Sequence, residues 1–234
     1  MVAGGDEQYD IVVASNYVIS AMKEQKMIQK LDISKIKNFA NLTDAAIGMD
    51  FDPKNEYSVP YMATITLVAV NQKMLDKLGV KISSYNDLLN PALKNNIVIP
   101  DDSREVVDMA LKAIGEDPDA TDQATVKKAS AWLKKLAPNV KLYDSDTPYQ
   151  ALVTNEVAVG LVYNMDAAKA LRENEDIKLV QIQEPYEMAY DNFVITAKSK
   201  NKEMAQQFIN FIHQPEIYKM CLDEYPCVCL NDET

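Results

Sequence analysis

Short apolar runs rich in β-branched residues alternate along this chain with stretches whose apolar positions recur every three or four residues. Residues 9–14 read as a buried strand and residues 17–25 as the helix that follows it. Residues 57–71 hold a long apolar run containing Ile65, Thr66, Val68 and Val70, a strand pattern, before a short helix at 72–78. A strand at 96–100 precedes two helices. The first, at 103–114, aligns Val106, Met109, Ala110, Ala113 and Ile114. The second, at 124–136, aligns Val126, Ala129, Leu133 and Leu136. Strands at 140–143, 157–163, 177–181 and 192–196 are interleaved with helices at 148–154 and 165–172. Met204, Ala205, Phe208, Ile209 and Ile212 form one stripe over 202–212, and Pro215 stands where a first-turn proline opens a last helix to about 223. Alternation of this kind predicts an α/β fold with covered sheets and leaves one domain or two open.

Composition changes that picture little. The 234 residues are 47% hydrophobic and 25% charged, which is ordinary for a globular chain. No run of about 18 apolar residues occurs, so no membrane-spanning helix is expected. Residues 1–9 show no apolar signal segment, so the chain is either cytoplasmic or begins inside a longer protein. The net charge of −11 repels nucleic-acid phosphates and favours cationic ligands.

The sequence offers little catalytic machinery. Six glycines form no phosphate loop, no nucleophile elbow occurs, and one histidine leaves little scope for a catalytic triad. Carboxylate pairs could serve acid–base chemistry, but nothing marks a pair out, and an enzyme is not expected. Cys221, Cys227 and Cys229 crowd near the C-terminus as thiols, or as a disulfide from Cys221 in an oxidising compartment. The spacing of His213 from Cys221 fits no common zinc pattern, so no metal and no cofactor is expected.

Several stretches together resemble the spermidine/putrescine-binding proteins of bacterial ABC importers. They are Tyr9-Asp10-Ile11-Val12-Val13-Ala14-Ser15-Asn16-Tyr17, Tyr57-Ser58-Val59-Pro60-Tyr61, Ile99-Pro100-Asp101-Asp102-Ser103-Arg104-Glu105-Val106, Asn155-Glu156-Val157-Ala158-Val159-Gly160 and Lys200-Asn201-Lys202-Glu203. The resemblance implies a two-lobed clamshell, each lobe a mixed sheet flanked by helices, that captures ligand by closing. Lobe one would be residues 1–66 and 190–234, and lobe two residues 67–189. It implies a periplasmic or extracellular, lipoprotein-anchored full-length protein whose partners are a polyamine and the membrane subunits of an ABC transporter. Family members begin earlier, with a signal or lipoprotein segment and a further strand and helix, and continue further. Lobe one is therefore expected to be incomplete, with an exposed strand edge that self-association or rearranged pairing fills.

A polyamine needs carboxylates for its ammonium groups and aromatic faces for its methylene stem. The resemblance assigns Asp102, Glu105 and Asp191 to the ammonium groups. It gives Ser15, Tyr17 and Ser145 polar or stacking contacts, and Tyr163 and Tyr225 aromatic ones. Each has a plainer reading. Asp102-x-x-Glu105 has capping-box form, Ser15 fits a helix N-cap, and Asp191 fits a strand end. Tyr163 and Ala189 stand where the family has tryptophan, which weakens the aromatic cage. The alternatives are another small cationic or amino-acid-like solute on the same fold, or a fragment with impaired binding. The lone tryptophan, Trp132, is read as packing.

Overall fold

The computed structural model describes residues 9–186 and 188–234. The described residues pack into two compact units, 9–64 with 188–234 and 65–186. The chain passes from one to the other within the long strand β2 (Ser58–Asn71) and again ahead of β7 (Met188–Ile195).

In unit 1, β1 (Ile11–Ser15) pairs antiparallel with β7 in a register that sets Val13 opposite Phe193 and Ser15 opposite Asp191. Successive strand residues face opposite sides of the sheet. Val12, Ala14 and Val194 therefore pack with Ile19 and Met22 of α1 (Asn16–Glu24). Ile11, Phe193 and Ile195 turn the other way, onto Ala205 and Ile209 of α7 (Lys202–Ile212). Tyr61 lies 4.4 Å from Phe193, centroid to centroid. Tyr218 of α8 (Pro215–Glu224) donates to the Tyr61 carbonyl at 2.6 Å and accepts from Leu230 N–H, which ties down the C-terminal segment. His213 is buried with its two ring nitrogens against the Ile209 and Pro60 carbonyls, and its pKa is lowered by burial. Among the described strands β1 has β7 as its one neighbour, so its other edge is open.

Unit 2 is built on a sheet covered on both faces. Its order is β6 (Ile177–Val180), the second part of β2, β5 (Val159–Tyr163), β3 (Ile97–Ile99) and β4 (Val140–Tyr143). β2 runs antiparallel to β5 and β6, whereas β3 runs parallel to β4 and β5. Strand alternation sends Val68, Val70, Ile97, Ile99, Val159 and Leu161 to one face. There they meet α3 (Ser103–Ala113) and α4 (Gln123–Leu136). Ala69, Val98 and Val162 face α5 (Tyr149–Val153) and α6 (Asn164–Glu173). Burial on both faces explains why these strands read as unbroken apolar runs. Trp132 is buried and donates its indole N–H to Asn86 Oδ1 at 2.9 Å, a packing role. α2 (Gln72–Leu78) is capped by Asn71 and ends at Gly79, whose φ of 64° suits a residue without Cβ.

Gly160 lets α5 approach the sheet. A Cβ there would lie 2.7 Å from Leu152 Cδ1 and 3.1 Å from Val98 Cγ1, both on buried side chains. Gly160→Ala is expected to destabilise the chain by about 1–3 kcal/mol through overpacking. A urea midpoint unchanged from the parent would show that the helix has room to move.

Candidate functional site

Because β3, β4 and β5 are mutually parallel, their C-terminal ends share one edge of the unit 2 sheet. Open α/β sheets bind ligands at such edges, where loops carry side chains that the strands hold fixed. β3 ends at Ile99 and runs through Pro100 and Asp101 to Asp102. β4 ends at Tyr143, followed by Asp144 and Ser145, and β5 ends at Tyr163. Asp144 N–H donates to the Ile99 carbonyl at 3.0 Å, which holds the first two ends together. Tyr163 pairs with Thr66 of β2.

Asp102 is the N-cap of α3, where its Oδ1 accepts from Arg104 N–H at 2.8 Å and Glu105 N–H at 3.3 Å. Glu105 takes a different partner: its Oε2 accepts from Thr66 Oγ1 at 2.7 Å. It borders a small cavity with Thr66, Tyr85, Asp108 and Lys112. There Lys112 and Asp108 form a 2.8 Å ion pair one helical turn apart. Burial, with the charges of Asp108 and Glu184, pushes the Tyr85 phenol upward, so it stays protonated. Ser145 Oγ is buried and has no hydrogen-bond partner among the described residues.

In unit 1 the cross-strand pair is direct, since Ser15 Oγ donates to Asp191 Oδ1 at 2.8 Å. Ser15 occupies the N-cap position of α1 without making a side-chain cap. Tyr17 is exposed in the first turn of α1, and Tyr225 is exposed at the C-cap of α8. The structure thus joins Ser15 to Asp191 and Asp102 to Glu105, and sets Asp102 and Ser145 just after, and Tyr163 at, neighbouring strand ends. Thr66 was not anticipated, because its role depends on a pairing remote in sequence.

Asp166, in the first turn of α6, was also missed. It is 4% exposed. Asp52 shows what a satisfied buried carboxylate looks like: one of its oxygens accepts from Tyr57 N–H, Ser58 N–H and Ser58 Oγ, all within 2.9 Å. Burial raises the Asp166 pKa to about 6, with Lys169 opposing the rise and Asp144 adding to it. Among the described residues, no three His, Cys, Asp or Glu side chains converge to hold a metal ion.

A family model described as bacterial extracellular solute-binding protein matches residues 1–226. The spermidine/putrescine-binding periplasmic protein of Salmonella typhimurium is 39% identical over 214 residues, 92% of this chain and 61% of its own. The Escherichia coli protein of the same description is 38% identical over the same shares. A solved structure described as a putative spermidine/putrescine ABC transporter, from Listeria monocytogenes, matches with TM-score 0.93 at 31% identity. It covers 99% of this chain and 71% of its own. The chain therefore spans 61% of the length of these curated relatives. Its α/β architecture matches that of the Listeria monocytogenes structure where the two overlap.

A raised carboxyl pKa means that the folded state holds the proton more tightly than the unfolded chain. The stability this brings is present below the unfolded pKa and is lost as pH rises through about 6. Asp166→Asn is therefore expected to gain on the order of 2 kcal/mol over the parent at pH 8 and little at pH 4. Thermal denaturation at both values checks this; equal gains would mean that ionisation is not the cause.

Proposed function

The chain belongs to the bacterial extracellular solute-binding protein family, and from that premise we propose that it binds a polyamine for an ABC importer. The observation that carries this reading is the shared edge in unit 2, where Tyr163 ends one of three parallel strands and Asp102, Glu105 and Ser145 follow the ends of the other two. Two carboxylates beside an aromatic ring suit an ammonium group on an apolar stem. Asp191 of unit 1 is the third proposed carboxylate, with Ser15 holding its orientation through the 2.8 Å bond. Tyr17 and Tyr225 are proposed to stack on the stem. The partners are then the polyamine and the importer's membrane subunits, in the periplasmic or extracellular space, with the full-length protein anchored there as a lipoprotein. Binding by charge and stacking involves no covalent step.

The same edge could take another small cation, because Tyr163 and Ala189 provide less aromatic surface than the tryptophans expected from the resemblance. Calorimetric titration with putrescine, spermidine, spermine and a panel of amino acids separates these readings. Saturable binding of a polyamine alone supports the first, and binding of an amino acid alone replaces it. Asp102→Asn keeps an oxygen for the cap while removing the charge. It and Asp191→Ala are each expected to weaken polyamine binding by roughly 5- to 150-fold. Parental affinity in both variants would rule these carboxylates out.

We also propose that the open edge of β1 drives self-association. Val13 is 49% exposed beside Phe193, whose ring meets the exposed Phe208, and Met204 and Phe211 extend the apolar stripe along α7. Uncharged strand edges of this kind template pairing. Light scattering on this chain should show mass rising with concentration; a monodisperse monomer throughout would refute the idea.

A further inference from the structure

The edge of the unit 2 sheet opposite the strand-end carboxylates carries charge of the reverse sign. β2 ends there at Asn71, and β3, β5 and β6 all start there, because β2 runs antiparallel to β5 and β6 while β3 runs parallel to β5. A cleft of about 460 Å³ opens at this edge beside α2. Pockets that hold small molecules span roughly 300–1,000 Å³. Lys73 and Lys77 line the cleft from positions one helical turn apart on α2. Met74 and Leu78 add apolar surface, and Asn155 and Asp176 border it from the loops that precede β5 and β6.

A buried side chain holds this wall in place. Asn71 is 0% exposed; its Oδ1 accepts from Met74 N–H at 3.1 Å and its Nδ2 donates to Asn155 Oδ1 at 2.7 Å. One interior amide thus fixes both the helix and the loop. The second bond engages the Asn155 oxygen and leaves its amide nitrogen as a donor. Lys73 lies 3.8 Å from Asp176. The charged lining is therefore two ammonium groups against one carboxylate, a sum of +1 in a chain whose net charge is −11. Of the acids nearby, Asp76 on the adjoining face of α2 accepts from Gln72 Nε2 at 2.7 Å, and Glu156 pairs with Lys141 at 3.1 Å. Exposed Lys94, Lys134 and Lys135 stand at the same edge, ahead of β3 and β4.

We propose that this cleft is a second binding site, for a small organic anion: a carboxylate received by Lys77, Lys73 and the Asn155 amide, on an apolar stem laid against Met74 and Leu78. One negative charge neutralises the lining, and ammonium and amide donors are what a carboxylate accepts. A polyamine would add to the positive charge, so the two edges of the sheet select ligands of opposite sign. The proposal is independent of the cation reading, since it uses none of that site's residues.

The test is titration of this chain with sodium hexanoate, read by backbone-amide shifts in nuclear magnetic resonance, with hexylammonium chloride and inorganic phosphate as parallel probes. Hexanoate should give saturable shifts at residues 72–78, 96, 155 and 176 and leave 101–105 unmoved. Hexylammonium, with the same stem and the opposite charge, should leave the first set unmoved. Phosphate, which has no stem to bury, should bind there about 5-fold or more weakly. Lys77→Gln should weaken hexanoate binding about 3- to 10-fold, as expected for a largely exposed ion pair with charge-assisted bonds, and Lys77→Arg should retain it. Lys127→Gln, which removes an exposed lysine of α4 outside the cleft, should change nothing. Shifts that rise without saturation, or parental affinity in Lys77→Gln, would overturn the site. Equal effects of Lys77→Gln and Lys127→Gln would reduce it to overall charge and overturn it too. Equal shifts with hexylammonium would overturn the anion assignment, and phosphate binding as tightly as hexanoate would overturn the role of the stem.

Discussion

The parallel pairing of β3 with β4 and β5 is the constraint on which unit 2, and the functional reading, depend. Parallel strands must be joined by crossovers, and the crossovers here are helices that cover both faces of the sheet. The same directionality delivers Asp102, Ser145 and Tyr163 to neighbouring positions along one edge, although they are far apart in sequence. Packing and chemistry are therefore two consequences of one geometry. The apolar alternation that puts Ile97 and Ile99 on one helix pair and Val98 on the other also fixes where β3 stops and Asp102 begins.

Carboxylates in this protein divide by how they are satisfied. Asp52 is buried and saturated by backbone and hydroxyl donors, which marks a structural role. Asp102 uses one oxygen to cap α3, and Glu105 is steadied by Thr66. A cap and a ligand contact are compatible, because a carboxylate can accept several hydrogen bonds at once. Burial of Asp166 instead raises its pKa to about 6.

Much of the fold was legible in the sequence because its signals are local. The stripe through Met204, Phe208 and Ile212 located α7 at Lys202–Ile212, and Pro215 opened α8 as its fixed φ allows. What escaped was set by distant partners. β7 begins at Met188 rather than 192, and pairing with β1 accounts for the polar residues Asp191 and Asn192 within it. The short 3₁₀ turns at 33–46 and 85–93 lack any periodic signal over so few residues. Asp102-x-x-Glu105 announced a capping box, yet Glu105 turns to Thr66 once β2 lies beside β5. Nothing around Asp166 in the sequence tells that its first-turn position is buried.

The central claim is that cations are received at the strand ends of unit 2. Nuclear magnetic resonance mapping of backbone amides during spermidine titration tests it most directly. The account predicts that the largest shifts cluster at residues 101–105, 144–146 and 163–166, with a second set at 15–17 and 190–192. Shifts confined to other surfaces, or none at saturating spermidine, would contradict it.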